Sequence, residues 1–237
     1  MAERFIEYSH DGQTLEGFFA WDETQSGPQP GVLVSHAWGG RTELECDKAR
    51  ELAQLGYCAF ALDLYGKGVQ GSGPEENAKL MQPFLADRAK LQSRMAAALA
   101  ALRAQSEVDA KRVAALGYCF GGLCVLDVAR TGTDVRGVIS MHGLFNAPGN
   151  TAGTKITAKV LALHGHDDPM VPVDMVNALQ EELTAASADW QIHVFGNTMH
   201  AFTNPNANDP AHGTVYNAAA DRRSWVITLD FLDEVLA

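Results

Sequence analysis

The sequence predicts an α/β protein with a mostly parallel central sheet, helices on both faces and an antiparallel hairpin along its N-terminal edge. Three observations carry this. Strand-like and helix-like segments alternate almost from end to end, as in repeated strand–helix–strand crossovers. The internal strands are continuous apolar runs, the pattern of strands covered on both faces. Only the first two strands alternate apolar and polar, and Asp11-Gly12, a hairpin signal, separates them.

The elements follow in order. Arg4–Tyr8 and Leu15–Trp21 form the hairpin. After Pro28 and Pro30, Gly31–Ser35 is the first buried strand, and Glu43–Leu55 has helical spacing and stops at Gly56. Cys58–Leu62 is a second buried strand. A connection punctuated by Gly66, Gly68, Gly71, Gly73 and Pro74 leads into helical sequence from about Glu75 to Gln105. Then come strand Arg112–Leu116, helix Phe120–Arg130, strands Val135–Met141 and Val160–His164, helix Val173–Ala186, strand Gln191–Phe195 and a C-terminal helix over Thr214–Leu236. No connection is long enough for a large lid domain, and there is neither a repeat nor a low-complexity linker.

Composition narrows the function. The chain has 237 residues, 46% hydrophobic and 20% charged, enough for a substantial core in one domain spanning residues 1–237. A formal net charge of −11 with no basic run argues against nucleic acid or an anionic membrane as partner. The N-terminus lacks a signal-peptide pattern, and the Ala-rich stretch from Met95 to Leu102 is too short to span a bilayer, so a cytoplasmic protein is expected. Cys46, Cys58, Cys119 and Cys124 show no C-x-x-C spacing, which leaves free thiols for chemistry.

The sharpest motif is Gly117-Tyr118-Cys119-Phe120-Gly121-Gly122, between a strand and a helix. It matches the nucleophile elbow G-x-[nucleophile]-x-G with Cys in the nucleophile position. The turn is strained, so small residues are needed two places to either side, and it sets Cys119 at a helix N-terminus, where a thiol pKa falls. A buried core cysteine beside a glycine-rich turn is the plainer reading of the string alone. Context favours the nucleophile. Gly165-His166-Asp167-Asp168 ends a later strand and offers Asp168 as the acid, with Asp167 suited to capping the next helix. His200 lies in the loop after the last strand. The order nucleophile, acid, histidine is that of the α/β-hydrolase fold.

The roles follow. His200 takes the Cys119 proton and Asp168 orients the imidazole. The oxyanion donors are the backbone N–H of Phe120 and, from the loop after Gly31–Ser35, that of Ala37. No metal site is read: His164 and His166 beside two aspartates have no supporting ligand cluster.

With its cysteine elbow, Asp168 turn, Met199-His200-Ala201-Phe202 loop and Asp63-Leu64-Tyr65-Gly66 segment, the chain resembles the dienelactone hydrolase family over nearly its whole length. The resemblance implies a lid-less, cofactor-independent hydrolase with a Cys nucleophile. It also exposes two departures. Family members that open dienelactones carry a glutamate where this chain has His36, and an arginine that grips the substrate carboxylate where it has Asn204. A further family arginine has Arg88 as its nearest counterpart here, with Arg41 or Arg94 as neighbours that could replace the missing grip.

Losing a buried carboxylate-gripping arginine costs about 2–5 kcal/mol, so the expected substrates are neutral carboxylic or aryl esters. Trp38, Tyr65, Tyr118, Phe145 and Phe202 are candidates for an aromatic mouth, though core packing is the commoner role for each. His36 either assists the thiol or fills its place. The alternatives are activated phosphotriesters on the same triad, an anionic dienelactone, and, outside enzymes, a hydrolase-fold ligand-binding protein. A monomer or small homo-oligomer is expected.

Overall fold

A computed structural model describes all 237 residues. Eight strands form one sheet in the order β1-β2-β4-β3-β5-β6-β7-β8. They are β1 (Ala2–His10), β2 (Gln13–Trp21), β3 (Gln29–Ser35), β4 (Cys58–Ala61), β5 (Val108–Tyr118), β6 (Gly137–Met141), β7 (Lys159–Gly165) and β8 (Trp190–Phe195). β1 and β2 pair antiparallel, and β2 joins β4 antiparallel; every other pairing is parallel. The hairpin edge is therefore as the alternating pattern implies.

Continuous apolar strands are explained by cover on both faces. Val32 and Val34 of β3, Ala114 and Leu116 of β5, and Leu161 and Leu163 of β7 face one core with helices α1 (Glu43–Gln54) and α6 (Ala218–Leu236). Leu33, Val113, Ala115, Val160 and Ala162 face the other. That second core is closed by α3 (Arg88–Arg103), α4 (Phe120–Arg130) and α5 (Val173–Ala185), with Phe84 of α2 (Pro74–Ala86) at its margin. Period-two alternation thus splits each strand between two apolar layers.

Two helix boundaries differ most from the sequence expectation. The long helical stretch is two helices, broken at Asp87, whose side chain caps Lys90 N–H at 2.9 Å. The last helix starts at Ala218, where Asn217 caps two N–H groups. Thr214–Val215 instead forms strand β10, paired with β9 (Asn208–Asp209). Two-residue strands are too short to show a periodicity. Asp167 is exposed and does not cap α5, whose N-cap is Pro172.

The chain changes direction of sheet growth at β3, which lies between β4 and β5. The carboxyl ends of β3 and β5 therefore flank a crevice, the usual ligand position in an open parallel sheet. No helix is long and apolar enough to cross a membrane.

Candidate active site

Cys119 sits at that crevice, between β5 and α4, with φ 54° and ψ −115°. A non-glycine residue held there is strained, and only close packing maintains it. The glycines are required by contact: a Cβ on Gly117 would lie 2.0 Å from the Gly121 carbonyl, and one on Gly121 would lie 2.3 Å from the Ser35 carbonyl. The elbow is thus pressed against the end of β3, where the second loop of the site begins.

His200 and Asp168 arrive from the ends of β8 and β7. His200 Nδ1 and Asp168 Oδ2 are 2.7 Å apart, both residues buried. Asp168 Oδ1 accepts from Met170 N–H at 2.8 Å, so both carboxylate oxygens are fixed. The β10 segment holds His200 from behind: His200 N–H donates to Gly213 O at 2.9 Å and Val215 N–H donates to His200 O at 3.0 Å. His200 Nε2 has no other protein partner and faces the Cys119 thiol. The three residues chosen from the sequence meet.

The electrostatics of the pair are mutual. Burial pushes the thiol up, but the His200 charge and the N–H groups of Phe120 and Trp38 outweigh it, so the Cys119 pKa falls below its ordinary value. Burial likewise opposes charge on His200, yet the Cys119 thiolate and Asp168 carboxylate raise its pKa. Each group thus favours the charged form of the other.

The N–H of Ala37, expected as a donor, is turned away from the thiol. Ala37 N–H points to Glu45 Oε1 at 3.4 Å, whereas Trp38 N–H is directed at the Cys119 sulfur together with that of Phe120. Glu45 is buried in the capping box of α1, accepting also from Thr42 N–H at 2.8 Å and Thr42 Oγ1 at 2.7 Å. The loop's phase is set by this carboxylate, a tertiary contact that the order of residues does not announce.

His36 does not approach the thiol. Its Nε2 accepts from Leu64 N–H at 3.2 Å, which requires the proton on Nδ1, and Nδ1 donates to Ala37 O at 2.6 Å. Buried and with its pKa lowered mainly by burial, His36 is a neutral brace that ties the donor loop to the end of β4. Tyr65 braces the same loop, its hydroxyl donating to Trp38 O at 2.9 Å.

A cavity of about 450 Å³ opens over Cys119 and His200. Of the substrate-binding candidates, Trp38, Tyr118 and Asn204 line it; His36, Tyr65, Phe145, Phe202 and Arg88 do not. Phe145 and Phe202 are core, packed on His164 and on His142 and Phe195. Arg88 binds Asp127 through Nε at 2.8 Å and Nη2 at 2.6 Å. Arg41 pairs with Glu16 at 3.9 Å, and Arg94 is buried against His10, Gln13 and the Leu64 carbonyl. No arginine lines the cavity.

Two contributors escaped the sequence reading. His142, at the end of β6 with φ 36°, lines the cavity, lies edge-on to His200 with ring centroids 5.1 Å apart, and is held by Thr203 Oγ1 at 2.8 Å. As a single histidine in a loop it carried no signal beyond its position after a strand. The second is a wall from α1 and α6, including Glu45, Lys48, Glu51, Asp221 and Trp225.

The fold and site now have relatives to stand beside. The dienelactone hydrolase family profile matches residues 15–236. The crystal structure of P91, from metagenomic libraries and described as a dienelactone hydrolase-like promiscuous phosphotriesterase, is 37% identical, with a TM-score of 0.93 over 100% of this chain and 99% of that one. An uncharacterized protein of Caenorhabditis elegans is 40% identical over 151 residues, 62% of this chain and 96% of its own length. A Yersinia pestis protein named provisionally as a carboxymethylenebutenolidase is 28% identical over 235 residues, 94% of this chain and 85% of its own. The chain belongs to the dienelactone hydrolase family, has the α/β-hydrolase fold, and is a hydrolase acting on ester bonds.

Proposed function

We propose that this family member cleaves neutral carboxylic and aryl esters through an acyl-thioenzyme, with Cys119 as nucleophile, His200 as acid and base, and Asp168 as its orienting carboxylate. One observation carries the reading: the 2.7 Å His200–Asp168 contact is buried, and it leaves Nε2 facing a thiol at the floor of a cavity. Cys119 Sγ attacks the carbonyl carbon and the C–S bond forms; the oxyanion is met by the N–H groups of Phe120 and Trp38. As the C–O bond breaks, His200 Nε2–H gives its proton to the leaving alcohol. Water then attacks the thioester, His200 takes a proton from it, and C–S cleavage releases the acid and restores the thiolate. The absence of any arginine from the cavity wall weighs against an anionic dienelactone.

Mass spectrometry of the protein quenched during turnover of a p-nitrophenyl ester should show one acyl adduct on Cys119. An active Cys119→Ala protein would sink the assignment. The likeness to P91 supports a second reading, attack of the same thiolate on an activated neutral phosphotriester, with phosphorus bonded to sulfur in the intermediate. Turnover of a neutral aryl phosphotriester that is lost in Cys119→Ala supports it; absence of turnover removes it.

A further inference from the structure

The wall facing the thiol is charged, and its charge is one-sided. Four carboxylates line the cavity there, Glu45, Asp47 and Glu51 from α1 and Asp221 from α6, against the single cation Lys48. Two of the four are compensated. Asp47 pairs with Arg50 at 2.8 Å and Glu51 with Lys48 at 2.6 Å. Glu45 and Asp221 make no salt bridge. Glu45 is 4% exposed and accepts only neutral N–H and O–H groups. Asp221 accepts from the Tyr216 hydroxyl at 3.1 Å. Carboxylates drawn out of water without a counter-ion are costly unless something else supplies the charge.

Aromatic surface lies among them. Lys48 Nζ stands 3.7 Å from the Trp225 ring centroid, so this wall already seats one ammonium between a carboxylate and an indole face. Tyr118, whose hydroxyl is buried and unbonded, lies within the field of Glu51, Glu45 and Asp221. The cavity therefore combines a reactive thiol with aromatic rings and with carboxylates that outnumber its one lining cation.

We infer that the cavity selects esters carrying a cationic group, an ammonium in the alcohol part of the substrate, drawn by the charge of Glu45 and Asp221 and seated against Tyr118 and Trp225. The inference rests on the reading that esters are cleaved at Cys119, and it adds the chemistry of the alcohol part. It inverts the polarity expected for a carboxylate-bearing lactone. The net charge of −11 acts in the same direction at long range, drawing cations toward the surface.

The test compares butyrylcholine with neohexyl butyrate, its uncharged isostere, on the intact protein. At low salt kcat/KM for the choline ester should exceed that for the neutral ester by about tenfold, and the ratio should shrink as salt is added. Asp221→Asn should lower the ratio severalfold. Lys48→Met, which frees Glu51 and the Trp225 face, should raise it. A ratio at or below one, or a ratio that neither substitution moves, overturns the inference while leaving ester hydrolysis intact. If neither ester is turned over, the ester reading fails instead. Tetramethylammonium then decides this one: it should slow iodoacetamide labelling of Cys119 more than sodium does at equal ionic strength, and no protection overturns the inference.

Discussion

Two buried ionic clusters in this molecule are each centred on an aspartate and do opposite things. Arg130, 2% exposed, donates to Glu182 at 2.8 and 2.7 Å and to the carbonyls of Phe145 and Asn146, while Asp127, 0% exposed, accepts from both Arg88 and Arg130. The carboxylates and guanidinium groups of that cluster are paired with one another, and together they fasten α3, α4 and α5 to the loop after β6. In the second cluster Asp168 is equally buried and its oxygens equally occupied, but His200 Nε2 is left to the thiolate, beneath an open cavity. Burial of charge alone does not mark a functional group. The difference lies in the partner left free.

The contrast can be broken or sharpened experimentally, starting where the effect is largest. Cys119→Ala should lower kcat/KM for an aryl ester by at least about 10⁴-fold, with a melting temperature close to that of the parent protein. Arg130→Met should do the reverse. Arg88 still holds Asp127, but Glu182 and the carbonyls of Phe145 and Asn146 lose their donor, which is expected to remove about 1.5–3 kcal/mol of stability, read by urea unfolding, with the folded fraction still active. Comparable activity losses in the two variants would erase the distinction.

The next effect is on acidity. Iodoacetamide labelling of Cys119 should rise with pH through a midpoint below the ordinary thiol value of 9.0, because the paired thiolate is favoured. In His200→Gln only burial and the backbone donors remain, and burial raises a thiol, so the midpoint should move up by about one unit or more, near tenfold in thiolate at fixed pH. An unmoved midpoint would show that the imidazole does not set the ionisation. The smallest effect belongs to Arg88. Because it is committed to Asp127 and lies outside the cavity, Arg88→Met should change kcat for a neutral ester by no more than about threefold, while costing measurable stability. A large rise in KM with stability intact would restore it as a substrate contact.

Much of this was legible in the sequence. The doubly covered parallel sheet and its antiparallel edge follow from where apolar runs are continuous and where they alternate, because covered and half-exposed strands need different patterns; the order of the strands does not. Cys119, Asp168 and His200 could be found because each closes a strand in a fixed order. The misreadings share one cause. Arg88 looks available to substrate because its partner, Asp127, is 39 residues away and nothing local reveals the pairing. The direction of the Ala37 N–H is not legible because Glu45, from the following helix, sets the loop's phase. The Glu45–Asp221 wall was invisible because α1 and α6 meet only in the folded protein.

The elbow itself has a consequence for how such a protein can change over generations. Codons for cysteine and serine differ by a single base, and serine would fit the space that Cys119 occupies. Its alcohol ionises far less readily than the thiol, so the same scaffold would lean more on proton transfer to His200 during attack. The seat has no such freedom: any side chain at Gly117 or Gly121 collides with backbone. Lineages of this fold can exchange the reactive atom in one step, while the turn that presents it stays fixed.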